Sequence, residues 1–265
     1  MNFDFSEDQK FLGNEARKFL EAECTTAHVR EVLDDANVSH HGGVWAKIIE
    51  MGWLGTAIPE EYGGLGLGGL ELCVLAEEMG RALAPVPFAS TAYFFTEALK
   101  LGASEEMKSA ILPQIMGGDV VGCYAASEGP GAITAAALKT SFDGTSVSGT
   151  KIPVTDGDVA THAVVLAKEG SGASLVLVAL QQAGVKITPV KTLEPTRSHA
   201  EIIFDGAKGT RIGAAGEGEA LNEALMDRVA VLLAFEQLGG ATRCLEMANQ
   251  YAKERYAFGL SLIHI

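Results

Sequence analysis

The chain has 265 residues, of which 48% are hydrophobic and 20% charged, and its formal net charge is −14. This length and composition are those of a globular protein that can bury a core in one large domain or two modest ones. No basic stripe offsets the negative charge, so nucleic acid and anionic membrane surfaces are excluded as main partners.

The N-terminus, the histidines and the cysteines further restrict the kind of protein that this sequence can encode. MNFDFSEDQK has no basic and no apolar region, so no cleaved signal peptide is predicted, and the longest apolar run, 229–235, is too short to span a membrane. The histidines show no i, i+4 ligand spacing, so no metal site is expected. The cysteines Cys24, Cys73, Cys123 and Cys244 form no C-x-x-C pair. They are predicted to be reduced thiols of a cytoplasmic protein.

Residues 1–118 show apolar residues at helical spacing. Ser6, followed by Gln9 three positions later, resembles a capping box at the start of a first helix. Further helices are predicted over 44–51, 70–83, 91–101 and 104–116. Together these segments predict a helical N-terminal domain.

The stretch AIPEEYGGLGLGG, residues 57–69, is rich in glycine but follows no strand. Its glycines lack the fixed offsets of phosphate-binding loops, and no Lys-Ser/Thr closes it. The stretch is therefore predicted to be a turn in which glycines adopt positive φ and let two helices pass closely.

The pattern changes near residue 119. Short segments rich in Val, Ile, Leu and Ala, punctuated by Gly, Asp and Ser, predict strands over 120–125, 163–167, 174–180, 185–189 and 200–204. Strands that are not separated by long helices favour an antiparallel sheet or barrel. From residue 217 a long apolar helix is predicted to run through residue 256.

The order of segments predicts the α+β class. We expect a helical N-terminal domain (1–118), a middle antiparallel β domain (119–214) and the first part of a C-terminal helical domain (215–259). Residues 260–265, LSLIHI, continue no pattern and are expected to be a non-native tail.

Four motifs share one order and spacing: PEEYGGLG (59–66), CYAASEGPG (123–131), SGTKIPVTDGDVATHAVVLA (148–167) and QLGGATRCLEMANQYAKERYAFG (237–259). With them the chain resembles the acyl-CoA dehydrogenase family over nearly its whole length. The resemblance implies that PEEYGGLG is a packing turn and that the flavin phosphates are held elsewhere. It also implies that the chain is truncated after the first helix of its C-terminal domain.

The resemblance implies flavin chemistry. The family uses FAD to oxidise an acyl-CoA thioester to its trans-2-enoyl form, because side chains cannot accept a hydride. A carboxylate removes the α-proton while hydrogen-bond donors hold the thioester oxygen. An electron-transfer flavoprotein then takes the electrons.

The same resemblance implies which residues bind FAD. Tyr124, Ala126 and Ser127 match the strand along the flavin ring, and Thr155 matches a second flavin contact. In the last motif, R-x-x-F-G, the arginine reaches the pyrophosphate of FAD in a neighbouring subunit and the phenylalanine can pack on the adenine. That motif adds Arg255 and Phe258 to the cofactor-binding set.

At three places the sequence departs from the pattern of the family, and these differences concern the substrate. Pro153 replaces the aromatic residue that covers the flavin, Asp156 replaces Asn, and 132–134 replace the usual Gly-Ser-Asp. FAD binding is still expected, but the ordinary straight-chain substrate is not.

The catalytic base has no match. In most members it is a glutamate beyond residue 265, and in a minority it lies at the position of Val229, with Asp227 nearby but out of register. The base is therefore expected outside this chain, which should be inactive alone.

Two alternatives share the motifs. The chain could be a base-lacking flavin-binding or structural subunit of a heteromeric acyl-CoA dehydrogenase, of the kind that acts on steroid or other bulky substrates. It could also belong to an acyl-CoA oxidase. If the chain is itself an acyl-CoA dehydrogenase, the resemblance implies a homodimer or tetramer. If it is a base-lacking subunit, the resemblance implies a heteromer with a related subunit.

Overall fold

The computed structural model describes residues 4–264; Met1–Phe3 and Ile265, at the outer limits of the predicted domains, lie outside the described residues. Helices come first along the chain, a β-sheet follows, and a long helix packs against both. This order confirms the predicted α+β class.

The helices before the sheet follow the predicted pattern with one addition. The capping box at Ser6 is present, because its hydroxyl accepts the Gln9 N–H (3.2 Å) and the Gln9 side chain accepts the Ser6 N–H (2.9 Å). The second helix was missed, since only Val29 and Val32 of its nine residues are buried. These helices are α1 (Glu7–Glu23), α2 (Thr26–Asp34), α3 (Gly42–Glu50), α4 (Gly69–Ala82), α5 (Thr96–Gly102) and α6 (Glu105–Gly117).

The helix predicted over 91–101 begins differently from the expectation. Residues Ala89–Phe95 form a π-helical segment, which continues directly into α5. A π-helix is rare and is frequently found at functional sites. Ser90, Tyr93 and Phe95 of this segment are buried.

The glycine-rich stretch 57–69 is the predicted turn. It contains a short 3₁₀ helix, Glu60–Tyr62, after another at Trp53–Gly55. Gly63 has φ +83°, and a Cβ on Gly64 would lie 2.0 Å from the Ile58 carbonyl oxygen. Only glycine fits this close approach of backbone to backbone.

The sheet contains all five predicted strands and three that were missed. Ser146–Thr155 was missed because its Gly149 and Pro153 disfavour strands, and register shifts interrupt its pairing. The strands are β1 (Gly122–Ala125), β2 (Ser141–Phe142), β3 (Ser146–Thr155), β4 (His162–Glu169), β5 (Gly172–Ala179), β6 (Val185–Pro189), β7 (His199–Lys208) and β8 (Thr210–Ile212).

The sheet is mixed, which corrects the expectation of a purely antiparallel domain. Its order is β6-β7-β3-β2-β4-β5-β8, and β1 lies outside this path against β4. β1 and β2 each run parallel to β4, whereas the other pairs are antiparallel. A parallel pair needs a long crossover, and the chain between β1 and β4, with the β2–β3 hairpin, supplies it.

The last helix, α7, spans Gly218–Glu254 and is followed by a small hairpin of β9 (Tyr256–Ala257) and β10 (Leu260–Ser261). The predicted helix ran two residues too far, since Arg255 is already extended. Phe258 (φ 52°) and Gly259 (φ 79°) form the hairpin turn, for which positive φ is required. A 3₁₀ helix, Leu262–His264, follows the hairpin. Residues 260–265 were expected to continue no pattern, but Leu260 and Ser261 pair with Ala257 and Tyr256.

In the part of the chain that the structure describes, no helix is long and apolar enough to cross a membrane.

Two glycines let α4 and α7 cross with their backbones in contact. A Cβ on Gly80 would lie 1.8 Å from the Glu236 carbonyl oxygen, and one on Gly239 would lie 1.8 Å from the carbonyl oxygen of Glu77. No real Cβ contact is that short, so both positions require glycine. The crossing fixes α7 on the N-terminal helices.

We expect Gly239→Ala to lower the free energy of unfolding by about 1–3 kcal/mol or more, because the new methyl group forces the helices apart. Gly240→Ala is the matched control, since its Cβ would meet only the Gly80 carbonyl oxygen at 3.5 Å. Alanine favours a helix by about 1 kcal/mol over glycine, so the control should be neutral or stabilising. Urea unfolding of both variants measures the difference; equal stabilities would mean that the crossing is not tight.

Candidate functional site

A cleft of about 450 Å³ opens where the sheet meets the π-helical segment and α7. Its volume lies in the range of small-molecule sites, and its walls are mainly apolar with a few polar groups. The walls are formed by Ala89, Ser90 and Phe94 of the π-helical segment; Tyr124, Ala126, Ser127 and Ile133 of β1 and the loop after it; Pro153 and Thr155 of β3; Glu194, Arg197 and His199; and Asn222, Met226 and Leu233 of α7.

Four of the six residues that the resemblance assigned to FAD line this cleft together: Tyr124, Ala126, Ser127 and Thr155. The first three come from the end of β1 and the residues after it, and Thr155 ends β3. β1 and β3 lie close together in the sheet, so two segments that are separate in sequence meet at one opening.

Tyr124 connects the sheet to α7. Its hydroxyl donates to Oδ1 of Asn222 at 2.6 Å, and its ring stacks on Phe94 with 5.9 Å between centroids. Burial raises the pKa of Tyr124, so the hydroxyl keeps its proton and remains a donor. The side chain therefore forms a rigid, aromatic wall.

Ser127 also has a local structural role. Its Oγ accepts the Gly129 N–H at 3.3 Å, as in a serine turn. Its carbonyl oxygen accepts the Ile152 N–H at 2.9 Å, which ties the loop to β3. Ser127 thus lines the cleft at a point that the turn holds in place.

A buried ion pair holds the segment after β1. Lys151, which is fully buried, donates to Glu128 (2.8 Å) and to the Ala126 carbonyl oxygen (3.0 Å). Burial opposes ionisation of Glu128, but bonds from Lys151 and from the N–H groups of Lys139 and Thr140 outweigh it and lower its pKa to about 2. Burial lowers the pKa of Lys151 itself, so its desolvation offsets part of the pair's stabilisation.

The sequence did not reveal Glu194, Arg197 and His199 as part of the cleft. His199 begins β7 and pairs with Thr155 of β3, and because β3 was not predicted, the sequence could not place His199 at the cleft. Arg197 donates to the carboxylate of Glu236 on α7. The only sign of a polar site here in the sequence was the run Thr-Arg-Ser-His, residues 196–199, which leads into β7.

Arg255 and Phe258 lie far from the cleft of their own chain. From Leu233, the last cleft residue on α7, the helix rises about 33 Å to Arg255 at roughly 1.5 Å per residue. Phe258 is 99% exposed. The structure therefore separates these two from the other four predicted residues.

Neither position considered for the base lies in the cleft. Val229 is buried in the apolar core, and Asp227 is exposed. Among the residues that line the cleft in the described part of the chain, only Glu194 carries a carboxylate. That carboxylate accepts the N–H and the hydroxyl of Thr196.

His28, Glu31 and His41 come together outside the cleft, with ligand atoms within 4.8 Å of one another. The sequence gave no sign of this group because α2 was not predicted. Nδ1 of His41 accepts the Val44 N–H at 3.0 Å, and Nε2 lies 3.2 Å from Glu31. In this arrangement Nε2 carries the proton and donates to Glu31, so His41 caps α3 and has no lone pair left for a metal ion.

Comparisons with known proteins agree with the sequence motifs. The family model described as "Acyl-CoA dehydrogenase, N-terminal domain" matches residues 6–119. Acyl-CoA dehydrogenase FadE27 of Mycobacterium tuberculosis is 31% identical over 264 residues, which cover 97% of this chain and 68% of that protein. Other curated relatives are matched over 56–71% of their length, so the chain spans about two thirds of the proteins it matches.

Two solved structures share both the fold and part of the sequence. The Tcur3481-Tcur3483 steroid ACAD G363A variant has a TM-score of 0.87 and 29% identity, with 98% of this chain and 70% of that chain covered. The ChsE4-ChsE5 complex from Mycobacterium tuberculosis has a TM-score of 0.88 and 28% identity, with 99% and 71% covered.

We expect Glu128→Gln to lower the free energy of unfolding by about 3–5 kcal/mol at neutral pH, because it leaves the buried Lys151 ammonium unpaired. The pKa of Glu128 is lowered by folding, so the stabilisation is complete above about pH 4.5 and is lost as the pH falls towards 2. The gap between wild type and variant should therefore close over that range in urea unfolding. Lys151→Met is the matched variant and should lower the free energy of unfolding by less, since the N–H groups of Lys139 and Thr140 still donate to Glu128. Equal losses of stability in the two variants would contradict this account.

Proposed function

Since the chain belongs to the acyl-CoA dehydrogenase family, we propose that it holds FAD in the cleft for the α,β-dehydrogenation of an acyl-CoA thioester to trans-2-enoyl-CoA. One observation carries the proposal. Tyr124, Ala126, Ser127 and Thr155, which the motifs assigned to the flavin, line a single cleft of suitable volume.

The chemistry of the cleft fits a flavin ring. Its mainly apolar walls suit an aromatic ring system, and the hydroxyl groups of Ser127 and Thr155 can hydrogen-bond to polar ring atoms. When bound, FAD would supply the hydride acceptor that side chains lack. The protein's own part is to hold the ring, to exclude water with Tyr124 and Phe94, and to keep the loop after β1 in place through Lys151.

The base, the electron acceptor and the compartment belong to the same proposal. Val229 is apolar, so the carboxylate that takes the α-proton is proposed to lie outside these residues. The electrons are proposed to pass to an electron-transfer flavoprotein, and the location to be cytoplasmic. Arg255 is too far from its own cleft to reach a cofactor there, which supports assembly with a second subunit.

A second candidate function is a base-lacking flavin-binding or structural subunit of a heteromeric acyl-CoA dehydrogenase. It is favoured by the similarity to chains of a steroid dehydrogenase and of the ChsE4-ChsE5 complex. Pro153 in the cleft, in place of an aromatic residue, also leaves more room for a bulky acyl group. Turnover that appears only after a related subunit is added would favour this candidate over the first.

We expect the chain to bind FAD, with quenching of flavin fluorescence and a yellow protein after gel filtration. Thr155→Ala should weaken binding by about 2- to 10-fold, the effect of one lost hydrogen bond. Thr188→Ala on β6, which is exposed and outside the cleft, is the matched control and should change nothing. A chain that binds no FAD would overturn the proposed function.

Arg255 gives a separate test of assembly. Arg255→Ala should weaken FAD binding more than Arg255→Lys, because lysine keeps the charge but loses the bidentate geometry. Since Arg255 lies about 33 Å along the helix from the cleft wall, the effect should appear only at concentrations where sedimentation shows self-association or a complex. An equal loss in the monomer would contradict a role across subunits.

A further inference from the structure

A run of hydrogen-bonding groups leads away from the cleft. The Ser90 hydroxyl donates to Oδ2 of Asp156 at 2.7 Å. The Asp156 N–H donates to the Ser198 carbonyl oxygen at 2.8 Å, which holds the Ser198 hydroxyl beside the Asp156 carboxyl group. Ser198 donates to Oδ1 of Asp158, and the Ser39 hydroxyl donates to its Oδ2 at 2.5 Å. We call Ser90, Asp156, Ser198, Asp158 and Ser39 the relay.

The two ends of the relay lie in different surroundings. Ser90 lines the cleft, and Asp156 directly follows Thr155, which lines it too. Asp156 is only 1% exposed. Asp158 and Ser39 are half-buried, and Ser39 belongs to the loop between α2 and α3. The relay thus connects the cleft with the outer surface through a buried carboxyl group.

The hydrogen bonds at Ser90 need one more proton than the hydroxyl can provide. Its Oγ lies within bonding distance of both Asp156 Oδ2 (2.7 Å) and the Pro87 carbonyl oxygen (3.2 Å). A hydroxyl has one proton to donate, so an ionised Asp156 competes with Pro87 for it. If Asp156 carries a proton, it can donate to Ser90 while Ser90 donates to Pro87, and both contacts are satisfied.

The charges around Asp156 come from several elements. Burial raises its pKa to about 6, although Ser90, Ser198 and the positive charge of Arg197 favour ionisation; the negative charge of Asp158 opposes it. His40, beside Asp158, has a pKa lowered by its own burial. Cys123 on β1, which lies near both aspartates, keeps its proton because burial raises its pKa. Asp156 can therefore change protonation near neutral pH.

We propose that the relay carries a proton from the cleft to solvent; this role rests on the proposed function. Oxidation of an acyl-CoA removes one proton and one hydride. When the hydride's two electrons leave for one-electron acceptors, its proton remains and must reach solvent. Asp156 takes up this proton through Ser90 and passes its own proton through Ser198 to Asp158 and Ser39. No bond other than O–H bonds forms or breaks, and the relay returns to its starting state.

The first test needs no enzymatic activity. In protein labelled with ¹³C-aspartate, the side-chain carboxyl signal of Asp156 is identified by its loss in Asp156→Asn and followed from about pH 4 to pH 8. We expect it to titrate within this range, and its midpoint to fall in Asp158→Asn, since a neighbouring negative charge is removed. A signal that does not titrate, or a midpoint unmoved by Asp158→Asn, would overturn the relay.

The second test follows the proton itself. The FAD-loaded chain is reduced with dithionite, so no base is required, and is reoxidised by ferricenium in weak buffer with a pH-indicator dye. Ser198→Ala should slow proton release about tenfold or more, while early electron loss from the flavin stays near the wild-type rate. Asp158→Asn is a second variant if Ser198→Ala folds poorly by circular dichroism, and Ser141→Ala, outside the relay, is the control.

The outcomes separate the two proposals. A loaded chain in which Ser198→Ala and Asp158→Asn release protons as fast as wild type overturns the relay and leaves the proposed function intact. A chain that binds no FAD overturns the proposed function and the relay's role with it. Slow proton release in both relay variants, with a normal Ser141→Ala control, supports the relay.

Discussion

The contact of α4 with α7 through Gly80 and Gly239 is the constraint on which the site depends. Because helix backbones touch there, α7 can neither slide nor rotate without breaking the contact. Two ion pairs flank the crossing: Arg81 with Glu246, in bidentate geometry, and Arg197 with Glu236. Glu236 also supplies the carbonyl oxygen that lies over Gly80. One residue of α7 thus meets both the N-terminal helices and the loop that enters β7.

The crossing of α4 and α7 also sets the position of the cleft. The first half of α7 passes over the end of β1, where Asn222 accepts from Tyr124 and Met226 and Leu233 close the wall. The ion pair of Lys151 with Glu128 fixes the opposite wall from within the sheet. Each wall is held by a buried polar contact with a specific geometry, and such contacts set positions more sharply than apolar packing does. The cleft is therefore rigid where Ser127 and Thr155 line it.

The sequence predicted local features well. The capping residues, the glycine turn at 57–69, the helices and the apolar strands depend on neighbours along the chain, and so do the motifs that bring Tyr124 and Ser127 to one strand end. The missed features depend on distant contacts. β3 contains Gly149 and Pro153, and only pairing with β7 makes it a strand, which is why His199 could not be placed beside Thr155. Arg197 and Glu236 meet across 39 residues and carry no local signal.

α7 presents apolar side chains on two faces. Leu225, Val229 and Leu232 are buried against the rest of the chain, while Val231, Leu238, Leu245 and Met247 are exposed. An apolar stripe on both sides of one helix is typical of a helix enclosed by neighbours. Arg255 directly follows this helix and lies beyond the reach of its own cleft. The ring-binding residues and Arg255, which is proposed to bind phosphate, thus lie at opposite ends of one helix, and this separation is the reason that assembly with a second subunit belongs to the proposed function.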